Sequence, residues 1–253
     1  MNRYVLALDL GASSGRAMLA AYDGEKIRLR EVHRFSNDPV AKDGRLYWNV
    51  PQLMREIEQG MQAAYEIAPY ESIAIDTWGV DYGLLKADGT LLELPRHYRD
   101  SRTSGILKKA EESITAADLY ARTGTQVMEI NTLFQLICDQ ESGRLDDCEV
   151  MLPMPDLFAY LLTGTVSTER STPAPRRWSR RKPAHGTRNS CRFSTFPTGF
   201  CRKLWKAVQT KAHFPRRCSS GWDFRRFVLR QSADTTPSVR HLRHRLRQSG
   251  ISF

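Results

Sequence analysis

Between Glu169 and Arg170 the sequence changes character, with no linker composition to mark a boundary. Residues 1–169 carry 17 Lys and Arg against 26 Asp and Glu, a net charge of −9, whereas residues 170–253 carry 21 against 2, a net of +19. The overall charge of +10, which alone would suggest a nucleic-acid or membrane-surface partner, therefore comes entirely from the tail. Only 15 of the 84 tail residues are Leu, Ile, Val or Phe. That is below the roughly 20% under which a highly charged segment buries too little apolar area to offset chain entropy. Arginine outnumbers lysine there 17 to 4, and Trp178, Trp205 and Trp222 stand among Arg, Ser, Pro and Cys with neither helical nor strand period. Out-of-frame translation of GC-rich coding sequence produces this mixture. A packed core is expected in residues 4–169, followed by an irregular basic tail.

Three strand-like stretches open the acidic part, at residues 4–9, 16–22 and 26–32. Asp23-Gly24 joins the last two, and the hairpin turns that suit strand twist need positive φ, so the three are expected as antiparallel neighbours. Asn49 with Pro51 announces a helix, and Val50, Leu53, Ile57, Met61 and Ala64 then recur at three- and four-residue spacing. The next strand, residues 73–75, is reached only through that helix and is expected parallel to the first. Residues 80–85 continue as extended chain toward an Asp88-Gly89 turn. Thr115 three residues before Asp118 is a capping arrangement for a helix that Gly124 closes, and residues 131–140 form a second helix. Residues 150–152 read as a buried strand, and Asp156 opens a helix over 157–162 that stops at Gly164. Strands interleaved with helices in this order give an α/β class, a ribonuclease H-like mixed sheet with flanking helices.

Residues 1–10 lack the basic start and long apolar stretch of a secretory signal, and no apolar run approaches the roughly 18 residues of a membrane span, so a cytoplasmic location and no membrane partner are expected. The five cysteines form no Cys-x-x-Cys pair, and His241 and His244, three apart, have no further ligands nearby; neither suggests a metal centre.

Asp9-Leu10-Gly11-Ala12-Ser13-Ser14-Gly15-Arg16 lies between the first two strands. Gly11 and Gly15 suit a tight turn whose backbone N–H groups face phosphate oxygens; Ser13 and Ser14 add hydroxyl donors, and Arg16 a fixed positive charge. Asp9 at the strand end suits the water shell of a magnesium ion, which takes few carboxylates. The segment leads into a strand rather than a helix, unlike the common ATPase loop and the dinucleotide fingerprint. An ordinary Ser/Gly hairpin is the alternative. A second constellation, Asp76-Thr77-Trp78-Gly79-Val80-Asp81, suits a polyol: carboxylates accept from hydroxyls, the indole packs on the apolar sugar face, and Gly79 lets the ligand approach backbone. Its alternative is a strand edge with solvated acids and a core tryptophan. A third, Tyr98-Arg99-Asp100-Ser101-Arg102, reads equally as a ligand contact or a surface ion-pair cluster.

These three segments, with Asn131-Thr132-Leu133, Gln135-Leu136, Met154-Pro155-Asp156 and Leu162-Thr163-Gly164, resemble the rhamnulokinase branch of the FGGY carbohydrate kinases over residues 4 to about 169. The resemblance implies an actin- and hexokinase-like two-domain kinase that uses ATP and Mg2+ to phosphorylate L-rhamnulose at its C1 hydroxyl. It places the phosphate loop on residues 12–16 and a sugar contact on Gly79, beside Trp78, Asp76 and Asp81. The Trp-x-Asp-x-Arg segment that shapes the sugar cleft of related kinases falls on Tyr98, Asp100 and Arg102.

The departure begins after Ser167-Thr168-Glu169. Family members continue with a Thr-Asn-Ala-Ser-Thr-like segment and, further on, a His-Asp-Thr segment whose aspartate is the catalytic base; here Arg170-Ser171-Thr172-Pro173 follows. The only later carboxylates are Asp223 and Asp234, and Asp234-Thr235-Thr236 lacks the preceding histidine. The first 169 residues are thus expected to be an incomplete N-terminal kinase domain, inactive for want of its catalytic partner. Two other readings stand beside it: a binding pseudokinase, and a basic nucleic-acid-binding protein acting through residues 170–253. For the latter the tail offers charge and aromatics but no recognition fold, so non-specific, salt-sensitive binding is all it predicts.

Overall fold

The computed structural model of the chain describes residues 2–166; the expectations about residues 167–253 lie outside them. β1 (Arg3–Leu10), β2 (Ser14–Tyr22) and β3 (Ile27–Ser36) form the expected antiparallel meander. Asp23 stabilises its second turn by accepting from the Glu25 and Lys26 amides at 3.0 and 2.8 Å, and Gly24 supplies a φ of 109°. A hairpin not foreseen from the sequence follows, β4 (Pro39–Lys42) and β5 (Arg45–Trp48). Its strands are only four residues long and their apolar residues run together (Pro39-Val40-Ala41, Leu46-Tyr47-Trp48), so the Asp43-Gly44 turn between them, with φ of 51° and 70°, has no alternation of apolar and polar residues to support it.

α1 (Val50–Ile67) starts where Asn49 predicts: its side chain accepts from the Gln52 amide at 3.2 Å, and Pro51 occupies the first turn. Its buried face, including Leu53, Met54, Ile57 and Ala64, lies on one side of the meander against Leu6, Leu8, Leu10 and Leu19. Gly60 brings helix and sheet together: a Cβ there would stand 2.7 Å from the Ala17 Cβ. β6 (Ser72–Thr77) joins β1 in parallel, as expected, giving the order β3-β2-β1-β6 of a ribonuclease H-like mixed sheet.

β7 (Tyr82–Leu85) leaves that sheet. Two short helices follow it, α2 (Ile106–Glu111), which had no clear sequence signal, and α3 (Ala116–Thr123), capped by Thr115 as predicted and closed by Gly124 at φ 64°. After α4 (Thr132–Glu141) comes β8 (Val150–Pro153), which pairs antiparallel with β7 as a separate ribbon rather than extending the main sheet. α5 (Met154–Thr163) begins two residues before Asp156, because Pro155 suits a first helical turn, and it ends at Gly164. It packs on β6, β7 and β8. A second cluster, with Tyr82, Leu84, Ile106, Phe134, Ile137 and Met151, fills the space between the ribbon and α2–α4. Among the described residues no helix is long and apolar enough to cross a membrane.

Candidate functional site

The turn from β1 to β2 is held from below. Gly11 donates to the Ser14 carbonyl at 2.8 Å; the Asn37 amide donates to the Ser13 carbonyl at 3.0 Å, and the Asn37 side chain to the Gly11 carbonyl at 2.8 Å. Three carbonyls are thereby turned into the protein. The amides of Ala12 and Ser13 and the hydroxyls of Ser13 and Ser14 make no hydrogen bond among the described residues, and Ala12 and Ser13 are exposed. That is the arrangement an anion-binding turn requires. The glycines serve differently from expectation. Neither Gly11 nor Gly15 has positive φ. Gly15 is buried in β2, where a Cβ would sit 2.3 Å from the Phe35 ring, so it is there for packing. Asn37, 2% exposed, carried no sequence signal at all.

Asp9 and Arg16 face each other across β1 and β2, and the guanidinium donates to Asp9 Oδ2 at 3.1 and 2.5 Å. Both side chains are 45% exposed, so the pair is weakly held and open to exchange with an arriving ion. Asp76 is the neighbour of Asp9 on the other side, in register on β6. One carboxylate at a strand end, with solvent around it, fits a magnesium ion that keeps most of its waters. Among the described residues no cluster of three His, Cys, Asp or Glu offers a denser metal site.

The Trp78 amide donates to the Leu10 carbonyl at 3.1 Å, which places the second constellation directly beside the phosphate turn. Asp76 and Gly79 are exposed and Trp78 half-buried, forming a lip. Behind it lies a stack that the sequence did not reveal: the fully buried Trp48 ring packs 3.8 Å from Trp78 and 3.9 Å from His97, with Tyr98 at 6.0 Å. Asp81 ties this stack together. Its Oδ2 accepts from the indole N–H of Trp48 at 2.6 Å, from that of Trp78 at 3.2 Å and from the Tyr98 amide at 3.2 Å, while Oδ1 accepts from Gln135 at 2.9 Å.

Three residues read from the sequence as sugar contacts are therefore placed behind the lip. Asp81 is 0% exposed with its oxygens engaged. Asp100 is also buried: it accepts from the Leu46 and Arg102 amides and binds hairpin β4–β5 to the 98–102 segment. Burial pushes its carboxyl up, but those amides with Arg102 and Arg45 outweigh it and hold it below the ordinary range. Arg102 donates to Gln135 Oε1 at 2.5 Å and lies 3.4 Å from Asp139 and 3.6 Å from Asp100. The reason is common to all three: a charged group in a dry wall needs several partners, and these have found theirs.

Two buried groups in this wall titrate in opposite senses. Burial pushes Asp81 up to about 6, against the hydrogen bonds from Gln135 and Trp48, while burial and the nearby Arg99 push His97 down to about 4. A raised acid favours the fold below its ordinary value of 3.8 and loses that contribution as pH rises through 6. A lowered histidine favours the fold above 6.5 and loses it as pH falls through 4. The two contributions oppose each other between pH 4 and 6. Asp81→Asn is expected to remove the first and leave stability rising with pH over this window, more steeply than in the parent. Urea midpoints across the window check this; parallel curves for parent and variant would exclude the assigned protonation of Asp81.

The chain matches the N-terminal domain model of the FGGY family of carbohydrate kinases over residues 4–178. It is 43% identical over 172 residues to the rhamnulokinases of Klebsiella pneumoniae (strain 342) and Enterobacter sp. (strain 638). Each match takes in 66% of this chain and 35% of the relative, so the chain spans about a third of the length of the curated relatives it matches. Among solved structures, the gluconate kinase and the ligand-bound xylulose kinase of Lactobacillus acidophilus superpose with TM-scores of 0.60 and 0.59 at 14% identity. They cover 69% and 68% of this chain, and 36% of each kinase. At that identity the likeness is one of fold.

Proposed function

Because the chain belongs to the FGGY family of carbohydrate kinases, we propose that its site is the phosphate- and sugar-binding wall of a rhamnulokinase, which phosphorylates the C1 hydroxyl of L-rhamnulose. The observation that carries this reading is the adjacency of the two constellations at the ends of neighbouring parallel strands, with Trp78 bonded to Leu10 and Asp9 in register with Asp76. An acceptor hydroxyl and a phosphate chain must lie together for transfer, and these strand ends bring their binding groups together. ATP, when bound, would supply the phosphoryl group, and magnesium would spread its charge.

The chain's own residues bind and orient. The free amides of Ala12 and Ser13, the hydroxyls of Ser13 and Ser14, and Arg16 hold phosphate oxygens, with Gly11 closing the turn through its bond to the Ser14 carbonyl and Gly15 packing beneath it. Asp9 would hold a magnesium ion through its water shell. Asp76 accepts from sugar hydroxyls, Trp78 covers the apolar face of the ketose, and Gly79 admits it to the backbone. Asp81, Asp100 and Arg102 act from behind, keeping the indoles and the 98–102 segment in place. Identity to rhamnulokinases favours L-rhamnulose over other ketoses. The chain as it stands lacks a counterpart of the family's catalytic aspartate and is proposed to bind without turning over.

Gly79→Ala tests the sugar lip. A Cβ on Gly79 meets nothing within 4 Å and its φ is not positive, so folding stability should be unaffected. The methyl would stand where the sugar is proposed to lie, and affinity for L-rhamnulose should fall about 10-fold, the order of one lost close contact. NMR titration, with D-xylulose as comparison, measures it. Unchanged L-rhamnulose affinity would remove Gly79 from the site, and tighter binding of D-xylulose by the parent would move the proposal to another ketose.

A further inference from the structure

We propose that Thr132 and Gln135, buried on α4, are positioning residues of the sugar lip, clamping the turn at residues 79–81 from behind and so fixing the amides it presents. The proposal rests on Gly79 being sugar-facing. The Asp81 amide donates to the Gly79 carbonyl at 3.0 Å, two residues back, which makes a γ-turn centred on Val80. Val80 has a φ of 68°. A γ-turn of that hand is rare and strained, and positive φ in a β-branched residue is a genuine outlier. Such a conformation persists only where its surroundings over-determine it, and it occurs most often where a chain meets a ligand.

What over-determines it here is α4. Thr132 Oγ1 donates to the Val80 carbonyl at 2.7 Å, and Gln135 Nε2 approaches the same carbonyl at 3.3 Å. The Gln135 amide also donates to the Ile130 carbonyl at 2.8 Å and to Asp81 Oδ1 at 2.9 Å, and its oxygen receives Arg102. At 3% and 1% exposure neither residue can touch a ligand. The groups left over are two of the turn's own amides. The amides of Gly79 and Val80 donate to no described residue, so they are two consecutive N–H donors suited to the hydroxyl oxygens of a ketose. A Val80 relaxed to ordinary extended backbone would carry its carbonyl off Thr132 and re-aim both amides. The Asn-Thr-Leu and Gln-Leu segments of the sequence thereby acquire a task that their composition did not disclose.

The test uses the full chain, isotope-labelled, with L-rhamnulose as probe and three changes. Thr132→Val keeps the shape of the side chain and removes the donor; Thr132→Ser keeps the donor; Val80→Gly allows positive φ without cost. In Thr132→Val the backbone coupling of Val80 should leave the left-handed range, the Asp81 amide should exchange faster, and L-rhamnulose affinity should fall roughly 3- to 10-fold, the range of one hydrogen bond. Thr132→Ser should bind like the parent. Adding Val80→Gly to Thr132→Val should restore affinity, a rescue that a purely structural loss at Thr132 would not show. An unchanged Val80 coupling in Thr132→Val overturns the clamp; an opened turn with unchanged affinity overturns its positioning role. If the parent binds no L-rhamnulose while the turn opens as described, the function proposed above fails and the clamp stands.

Discussion

Phosphorylation of L-rhamnulose by the chain as it stands is expected to be on the order of 10²–10⁴-fold slower than by a version carrying the alternative reading frame of its gene after codon 169, the range set by loss of a general base alone. In the proposed reading Asp9 is committed to Arg16 and the metal and Asp76 to holding sugar hydroxyls, so no described carboxylate is assigned as the base. Asp81, pushed up to about 6, lies in the right range, yet it is 0% exposed and its oxygens are held by two indoles, an amide and Gln135. Geometry rules it out as the base before its proton affinity is considered. Of the residues after 169 only Asp223 and Asp234 carry carboxylates, and neither follows a histidine. A coupled ADP-release assay on both versions, corrected for turnover without sugar, decides the matter. Equal rates would mean that a base has been overlooked, and activity of the second version on another ketose alone would correct the substrate.

The second large effect is expected at Trp48. Its ring is fully buried between Trp78 and His97, its amide donates to the Pro95 carbonyl, and its indole N–H is the shortest of the bonds to Asp81. Trp48→Ala removes a large buried aromatic at a cost of about 3–5 kcal/mol, and also leaves a buried carboxylate short of a donor. Trp48→Phe keeps most of the packing and loses mainly the hydrogen bond, about 1–3 kcal/mol. Chemical denaturation followed by far-ultraviolet circular dichroism should rank the two in that order. A loss below about 1 kcal/mol in Trp48→Ala would show that the stack is incidental to stability.

Most of the frame could be read from local chemistry because its signals are local. Asn49 caps α1, Thr115 caps α3, Gly124 and Gly164 end their helices, and the parallel pairing of β1 with β6 follows from the helix between them. The β4–β5 hairpin has no such signal, because its Asp-Gly turn is flanked by strands of four residues in which apolar side chains do not alternate with polar ones. The site divides in the same way. Gly11 to Arg16 and Trp78-Gly79 stand out as motifs because each is contiguous in the chain. Asn37, Trp48, His97 and Gln135 act across 26, 33, 49 and 54 residues of chain, on Gly11, Asp81, Trp48 and Asp81 respectively, and no spacing rule reports contacts of that range. Asp81, Asp100 and Arg102 show the converse error: a dense polar motif does not tell whether it faces outward or supports what does.

The pair formed by Arg16 and Asp9 has a consequence for what the proposed kinase would admit. A bare polyphosphate that draws the guanidinium away leaves a naked carboxylate pointing at its own negative charge, and a lone divalent cation that captures the carboxylate leaves the guanidinium uncompensated. Neither exchange is neutral. A nucleotide arriving with its metal already attached brings a partner for each half at once. The closed pair would then behave as a two-key latch, answering to the metal–nucleotide complex as a single species and resisting either component alone.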